Sequence, residues 1–145
     1  MVENIVHEGQ ILSIIVRNSF NPPGISFFTP DEFSQQLALL KHKAGKVIQP
    51  HVHNPVLREV KFTQEVLVIK RGRLRVDFFD DHKNYIQSAI LGEGDVILLA
   101  SGGHGFEVLE DAEIIEIKQG PYTGDKDKTR FEPAEHFQIK IISHE

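Results

Sequence analysis

The sequence predicts an all-β domain, a two-sheet sandwich or jelly roll. Its apolar runs are short, and turn signals separate them at intervals of roughly 8–12 residues. Leu74, Val76 and Phe78 alternate with Arg73, Arg75 and Asp77, the pattern of a strand with one buried and one wet face. No segment sustains a helical period long enough for a β-α-β unit. Roughly nine strands are expected.

The β-branched run at residues 11–16 reads as a strand and ends at the breaker Asn21-Pro22-Pro23-Gly24. Residues 25–28 make a short strand. Thr29-Pro30-Asp31-Glu32 is a capping-box pattern with proline at the first helical position, so one short helical turn is expected. Residues 36–43 read as a strand running into Gly45. Residues 65–69 and 73–79 read as the arms of a hairpin turning at Lys70-Arg71-Gly72. A polar turn at residues 80–84 precedes a strand at 85–91. Gly92-Glu93-Gly94-Asp95 turns the chain into a strand at 96–100, which Ser101-Gly102-Gly103 ends. Strands at 105–109 and 113–118 are expected to join through Glu110-Asp111. A polar arm begins at Gly120, and residues 137–142 form a last edge strand. There is no repeat and no linker, so residues 1–145 read as a single domain with a core at about 36–119.

The composition narrows the functional classes. A 145-residue chain with 40% hydrophobic and 26% charged residues is ordinary globular material for one domain. Sixteen Lys and Arg against 21 Asp and Glu leave a net charge of −5, against a general nucleic-acid binder, which needs a basic face. Without cysteine there is no disulfide framework, thiolate metal site or cysteine nucleophile. This fits a reducing, cytoplasmic setting. The longest apolar runs are of strand length, far below the ~18 residues of a membrane helix. The opening MVENIVHEGQ has neither the basic nor the apolar region of a signal peptide.

The eight histidines carry the chemical information. In His51-Val52-His53, residues i and i+2 point to one side of a strand, so two imidazoles converge on one point. Pro50 and Pro55 bracket the pair and take it out of regular pairing. His42 faces either a pocket or solvent. His7, His82, His136 and His144 lie in polar or terminal stretches and read as solvated.

The string from Gly45 through His51, His53 and Glu65 to Gly72 reads G-x5-H-x-H-x11-E-x6-G, and Gly94 opens G-x5-A-x-G-x-H, ending at His104. This resembles the two motifs of the cupin superfamily, whose fold is a double-stranded β-helix or jelly-roll barrel. The family spacing between the second His and the Glu is three or four residues. Here it is eleven, by an insertion before Glu65, unless the carboxylate is Glu59. Ala100 stands at the family's proline, His104 comes one residue early, and no asparagine follows it. The resemblance implies that His51, His53, Glu65 and His104 hold one divalent metal. Three imidazoles and one carboxylate suit Zn, Mn, Fe, Ni or Cu rather than calcium. With Glu65 facing inward, Leu67 and Ile69 follow it. With His104 inward, Phe106 and Val108 do.

From Ile115 to Phe131, Glu116, Gly120, Tyr122, Asp127 and Arg130 fall on residue types of the cupin domain of type II phosphomannose isomerases, which this segment resembles. That resemblance implies sugar or sugar-phosphate chemistry. The function expected is a small metal-binding cupin acting on a sugar, sugar phosphate or similar polar metabolite, of isomerase or epimerase type. Glu59, His42 and Tyr122 are the candidate bases, with Glu59 and Tyr122 preferred as catalytic residues. A metal-dependent cupin dioxygenase and a non-enzymatic ligand-binding cupin are the alternatives. A homodimer is expected, because the apolar runs at residues 11–16 and 137–142 lie outside the cupin core and need covering.

Overall fold

Among the described residues, 1–142 of a computed structural model, the chain forms eight strands: β1 (Val2–His7), β2 (Gln10–Val16), β3 (Gly24–Phe27), β4 (Ala38–Lys41), β5 (Glu65–Phe79), β6 (Tyr85–Leu91), β7 (Val96–Leu99) and β8 (Gly103–Lys118). His144 lies outside these residues. The larger sheet has the order β1-β2-β7-β5-β6, with β8 also paired to β5, and β3 and β4 form a separate ribbon. No helix among the described residues is long and apolar enough to cross a membrane.

β1 has no counterpart among the expected strands. It pairs antiparallel with β2 across Glu8-Gly9, both at positive φ (50° and 79°), the conformation of a two-residue hairpin turn. The Glu-Gly pair was the local signal for it. β2 is buried from Leu12 to Val16, between β1 and β7. Its one buried polar residue, Ser13, donates its hydroxyl to the Leu98 carbonyl at 2.9 Å, which satisfies it inside the core.

The hairpin expected at Lys70-Arg71-Gly72 is a bend in one continuous strand. β5 runs for 15 residues through it, and β8 runs for 16 through Glu110-Asp111, where a second break was expected. The two strands pair along their whole length, from Glu65 opposite Lys118 to Phe79 opposite Gly103, with register shifts confined to residues 69–74 of β5. Gly72 sits at φ 87°, and a Cβ there would run into the Asp111 carbonyl. This glycine bends the strand instead of reversing it because the partner strand follows the bend.

The bend also switches parity. Before it Leu67 and Ile69 face the core. After it Leu74, Val76 and Phe78 do, so an odd-numbered row becomes an even-numbered one, as irregular pairing with an extra residue allows. Ahead of the bend β5 lies between β7 and β8, and beyond it between β6 and β8. The sheet therefore curls strongly around Ile5, Leu12, Ile15, Ile97 and Leu99 into half a barrel.

The convex face, with Ile14, Val66 and Leu98, is covered by Phe28, Phe33 and Leu37 from the β3–β4 connection. The helical turn expected at Thr29 is reduced to one hydrogen-bonded turn, Phe33 N–H to the Pro30 carbonyl at 3.1 Å, with no helix after it. The Thr29 hydroxyl donates to Gln36 Oε1 at 2.6 Å, and Gln36 Nε2 donates to the Pro30 and Phe33 carbonyls, so side chains close the loop in place of helical bonds.

The edge strand expected at residues 137–142 is replaced by a 3-10 turn, His136–Gln138, and a parallel bridge of Ile141 with Ser88. Ser88 N–H donates to the Lys140 carbonyl at 2.8 Å, and Ile142 N–H to the Ser88 carbonyl at 2.9 Å, against β6. Both apolar runs from which a dimer was expected are thus paired within the chain.

Replacing Gly72 with alanine is expected to destabilise the fold by about 2 kcal/mol or more. The left-handed conformation alone costs about 1–2 kcal/mol, and the backbone clash adds to it. Chemical denaturation measures this. A loss of a few tenths would place the bend elsewhere.

Candidate functional site at the mouth of the curled sheet

Glu65 opens β5 on the row that continues through Leu67 and Ile69 into the core, and His104 enters β8 opposite Phe78. Along the β5–β8 ribbon these positions lie at opposite ends. The bend brings the ends together, so that His104 Nε2 stands 3.2 Å from Glu65 Oε2, with both side chains largely buried. Gly102, at φ 68°, lets the turn before His104 pass so close to the Phe79 carbonyl that a Cβ would not fit.

Electrostatics follow the geometry. The hydrogen bond from His104 holds the Glu65 carboxyl below the ordinary glutamate range. Burial opposes this, and Lys118 and Glu116 add smaller contributions in the same direction as His104. Both residues lie on β8, Lys118 directly opposite Glu65 and Glu116 opposite Leu67. A carboxylate fixed on one imidazole nitrogen orients the ring and leaves the other nitrogen to exchange a proton.

The pair lines a cleft of about 1140 Å³ between residues 59–65, the turn into β8, and the arm at 127–136. Phe62, Phe106 and Phe131 supply apolar wall, Lys61, Lys128 and Arg130 supply positive charge, and a larger number of carboxylates, among them Glu59, Asp81, Glu107 and Asp127, supply negative charge. Phe131 packs edge-on against Phe79 at 4.9 Å. This mixture of aromatic surface with charges of both signs suits a small polar ligand. The roles of Phe62 and Phe79 were missed in the sequence. Phe62 lies in a stretch with no strand period, and Phe79 ends its strand one step out of the Leu74–Phe78 alternation.

The other expected site residues stand apart. His51 and His53 lie on residues 42–64, which form no strand and are exposed except for the buried Gln64. Their rings are 5.2 Å apart, and His51 Nδ1 lies 3.0 Å from the Gln49 carbonyl. The four expected ligands thus form two pairs, Glu65 with His104 and His51 with His53. Among the described residues no group of three or more His, Cys, Asp or Glu is arranged to hold a metal ion. Glu59 is on the rim of the cleft, its side chain 81% exposed and 3.9 Å from Lys61. Tyr122 is 86% exposed and lines a smaller adjoining cleft of about 210 Å³. Neither makes a described contact with Glu65 or His104, and His42 is exposed.

No family model matches the chain, and neither does any curated protein or solved structure.

The pair predicts a pH response. A carboxyl whose native value lies below its unfolded value stabilises the fold above the ordinary 4.5, and that contribution fades as pH falls through the native value. His104→Ala removes the largest cause, so Glu65 is expected to titrate at higher pH in that variant, followed by carboxyl-carbon NMR. An unchanged Glu65 titration would show that His104 does not set it.

Proposed function

We propose that this chain is a small jelly-roll protein of cupin type that binds a sugar, sugar phosphate or similar polar carbonyl metabolite in the mouth of its curled sheet and isomerises or epimerises it. The observation that carries this reading is the Glu65–His104 contact, made across the fold by residues 39 positions apart at the edge of an aromatic cleft that carries charges of both signs. The β5–β8 pairing and its shared bend support the jelly roll, because an antiparallel ribbon wound on itself is how such barrels close.

Isomerisation of a hydroxy-carbonyl compound moves a proton between neighbouring carbons. An imidazole held by a carboxylate supplies a group that takes and returns that proton near neutral pH. Lys61, Lys128 and Arg130 provide charge for a phosphate. Three imidazoles and one carboxylate are a donor set for Zn, Mn, Fe or Ni. Within one chain the two pairs do not converge, so no step is assigned to a metal.

The test is a thermal-shift screen of sugars, sugar phosphates and keto acids against wild type and Glu65→Gln. A ligand at 100 times its Kd stabilises the folded state by about 2.7 kcal/mol. A ligand that raises the Tm of wild type and raises that of the variant clearly less is expected. Equal shifts in both proteins would move the site away from Glu65.

A further inference from the structure

A buried amide sits immediately ahead of Glu65. Gln64 is buried, and a buried amide is stable only where its polar atoms find partners. The Gln64 side chain finds three. Its Nε2 donates to the Ala100 carbonyl at 3.3 Å, and its Oε1 accepts from the Gln35 N–H at 3.1 Å and the Ser34 hydroxyl at 3.4 Å. The Gln64 backbone N–H donates to Gln119 Oε1 at 2.7 Å. Gln119 Nε2 in turn donates to the Ser34 hydroxyl oxygen at 3.2 Å, which closes a ring of polar groups.

These partners share one relation to the Glu65–His104 pair. In the sheet Glu65 stands opposite Leu99 of β7 on one side and Lys118 of β8 on the other. Ala100 and Gln119 are the next residues along the chain. Gln64 therefore carries the pairing one step beyond the strand ends, with side-chain amides in place of the backbone ladder. Ala100 also opens the turn that leads through Gly102 to His104. From its other side that turn is held by the Leu12 carbonyl, which accepts from the Ala100 and Ser101 N–H groups at 2.9 and 3.2 Å. Ser34 lines the same cleft as the pair. The carboxylate's strand, the imidazole's turn and part of the cleft wall thus meet on one amide.

We infer that Gln64 is a positioning residue, which ties the start of β5 to the turn before His104 and so sets the distance at which carboxylate and imidazole meet. That distance is 3.2 Å. Reacting groups depend steeply on placement, and an error of about 1 Å can reduce a rate by roughly 100-fold. An apolar side chain of similar size would fill the space and leave the Ala100 carbonyl and the Gln35 N–H without this partner. That the pair so held moves a proton rests on the proposed function, whereas its being held by Gln64 does not.

Nuclear Overhauser cross-peaks between the His104 ring and the Glu65 methylenes, recorded on the free protein, test this without a ligand. Wild type is expected to show them. Q64L keeps the volume and removes every side-chain bond. Q64E keeps the acceptor for Ser34 and Gln35 and removes the donor to Ala100. Both are expected to remain folded and to lose the cross-peaks. I5V trims the core on β1, lowers the Tm, and is expected to keep them, which separates positioning from general loss of stability. Should the Gln64 variants fail to fold, Q119A decides, because it removes the acceptor of the Gln64 N–H from a less buried position and is expected to weaken the cross-peaks. Cross-peaks of wild-type strength in Q64L and Q64E, or in Q119A where it decides, would overturn the inference and leave the proposed function standing. So would their loss in I5V. Their absence from wild type would remove the contact on which the proposed function itself stands.

Discussion

Phe78→Ala is expected to lower stability by about 3–5 kcal/mol, the usual cost of emptying a buried aromatic site. Phe78 is 1% exposed and belongs to the row of β5 that faces the core beyond the Lys70–Gly72 bend. The hairpin expected from the sequence also puts Phe78 on the buried face, so the substitution tests the packing of the curled core rather than the bend. Equilibrium urea denaturation of Phe78→Ala and Phe62→Ala makes the comparison. Phe62 is 78% exposed, and its loss is expected to change stability by no more than about 0.5 kcal/mol. Similar costs for the two would contradict the curled core.

The second large effect falls on ligand affinity. Removing either member of the Glu65–His104 pair leaves the other half-buried and without its charged partner. Charge-assisted hydrogen bonds are worth about 1.5–3 kcal/mol, so Glu65→Gln and His104→Ala are each expected to weaken the ligand found in the screen by roughly 10–150-fold. Because the two act as a unit, the double variant should bind little worse than either single one. Calorimetric titration of the four proteins measures this. Fully additive losses would mean that the groups act separately and that their 3.2 Å contact has no part in binding.

The all-β class was legible because apolar run length and glycine-rich turns are local properties. β2, β6 and β7 fall within a residue of the expected strands for that reason. The bend was not legible. Lys-Arg-Gly gives a positive-φ glycine between two strands whether the chain reverses or bends, and only the pairing with β8, more than 30 residues away, decides. The Glu65–His104 contact was anticipated through motif spacing, whereas local pattern alone would have placed Glu65 on a strand end with no partner.

The placement of His51 and His53 failed for a different reason. An H-x-H pair converges only if its segment is a strand, and a strand needs a neighbour to bond with. Pro50 and Pro55 remove two backbone donors from that stretch, and within one chain no neighbour is supplied. Glu59 and Tyr122 were chosen for residue type and position in the chain, which do not determine the side-chain environment.

Proton exchange tests the central claim most directly. The ligand identified by thermal shift is incubated with the protein in deuterium oxide, and label is followed at the carbon beside its carbonyl by NMR and mass spectrometry. With the Glu65–His104 pair moving that proton, wild type is expected to incorporate deuterium at least 100-fold faster than His104→Ala, in keeping with a general base worth roughly 10²–10⁴ in rate. Equal incorporation by the two proteins, or a ligand that binds wild type tightly and gains no label, would contradict the account.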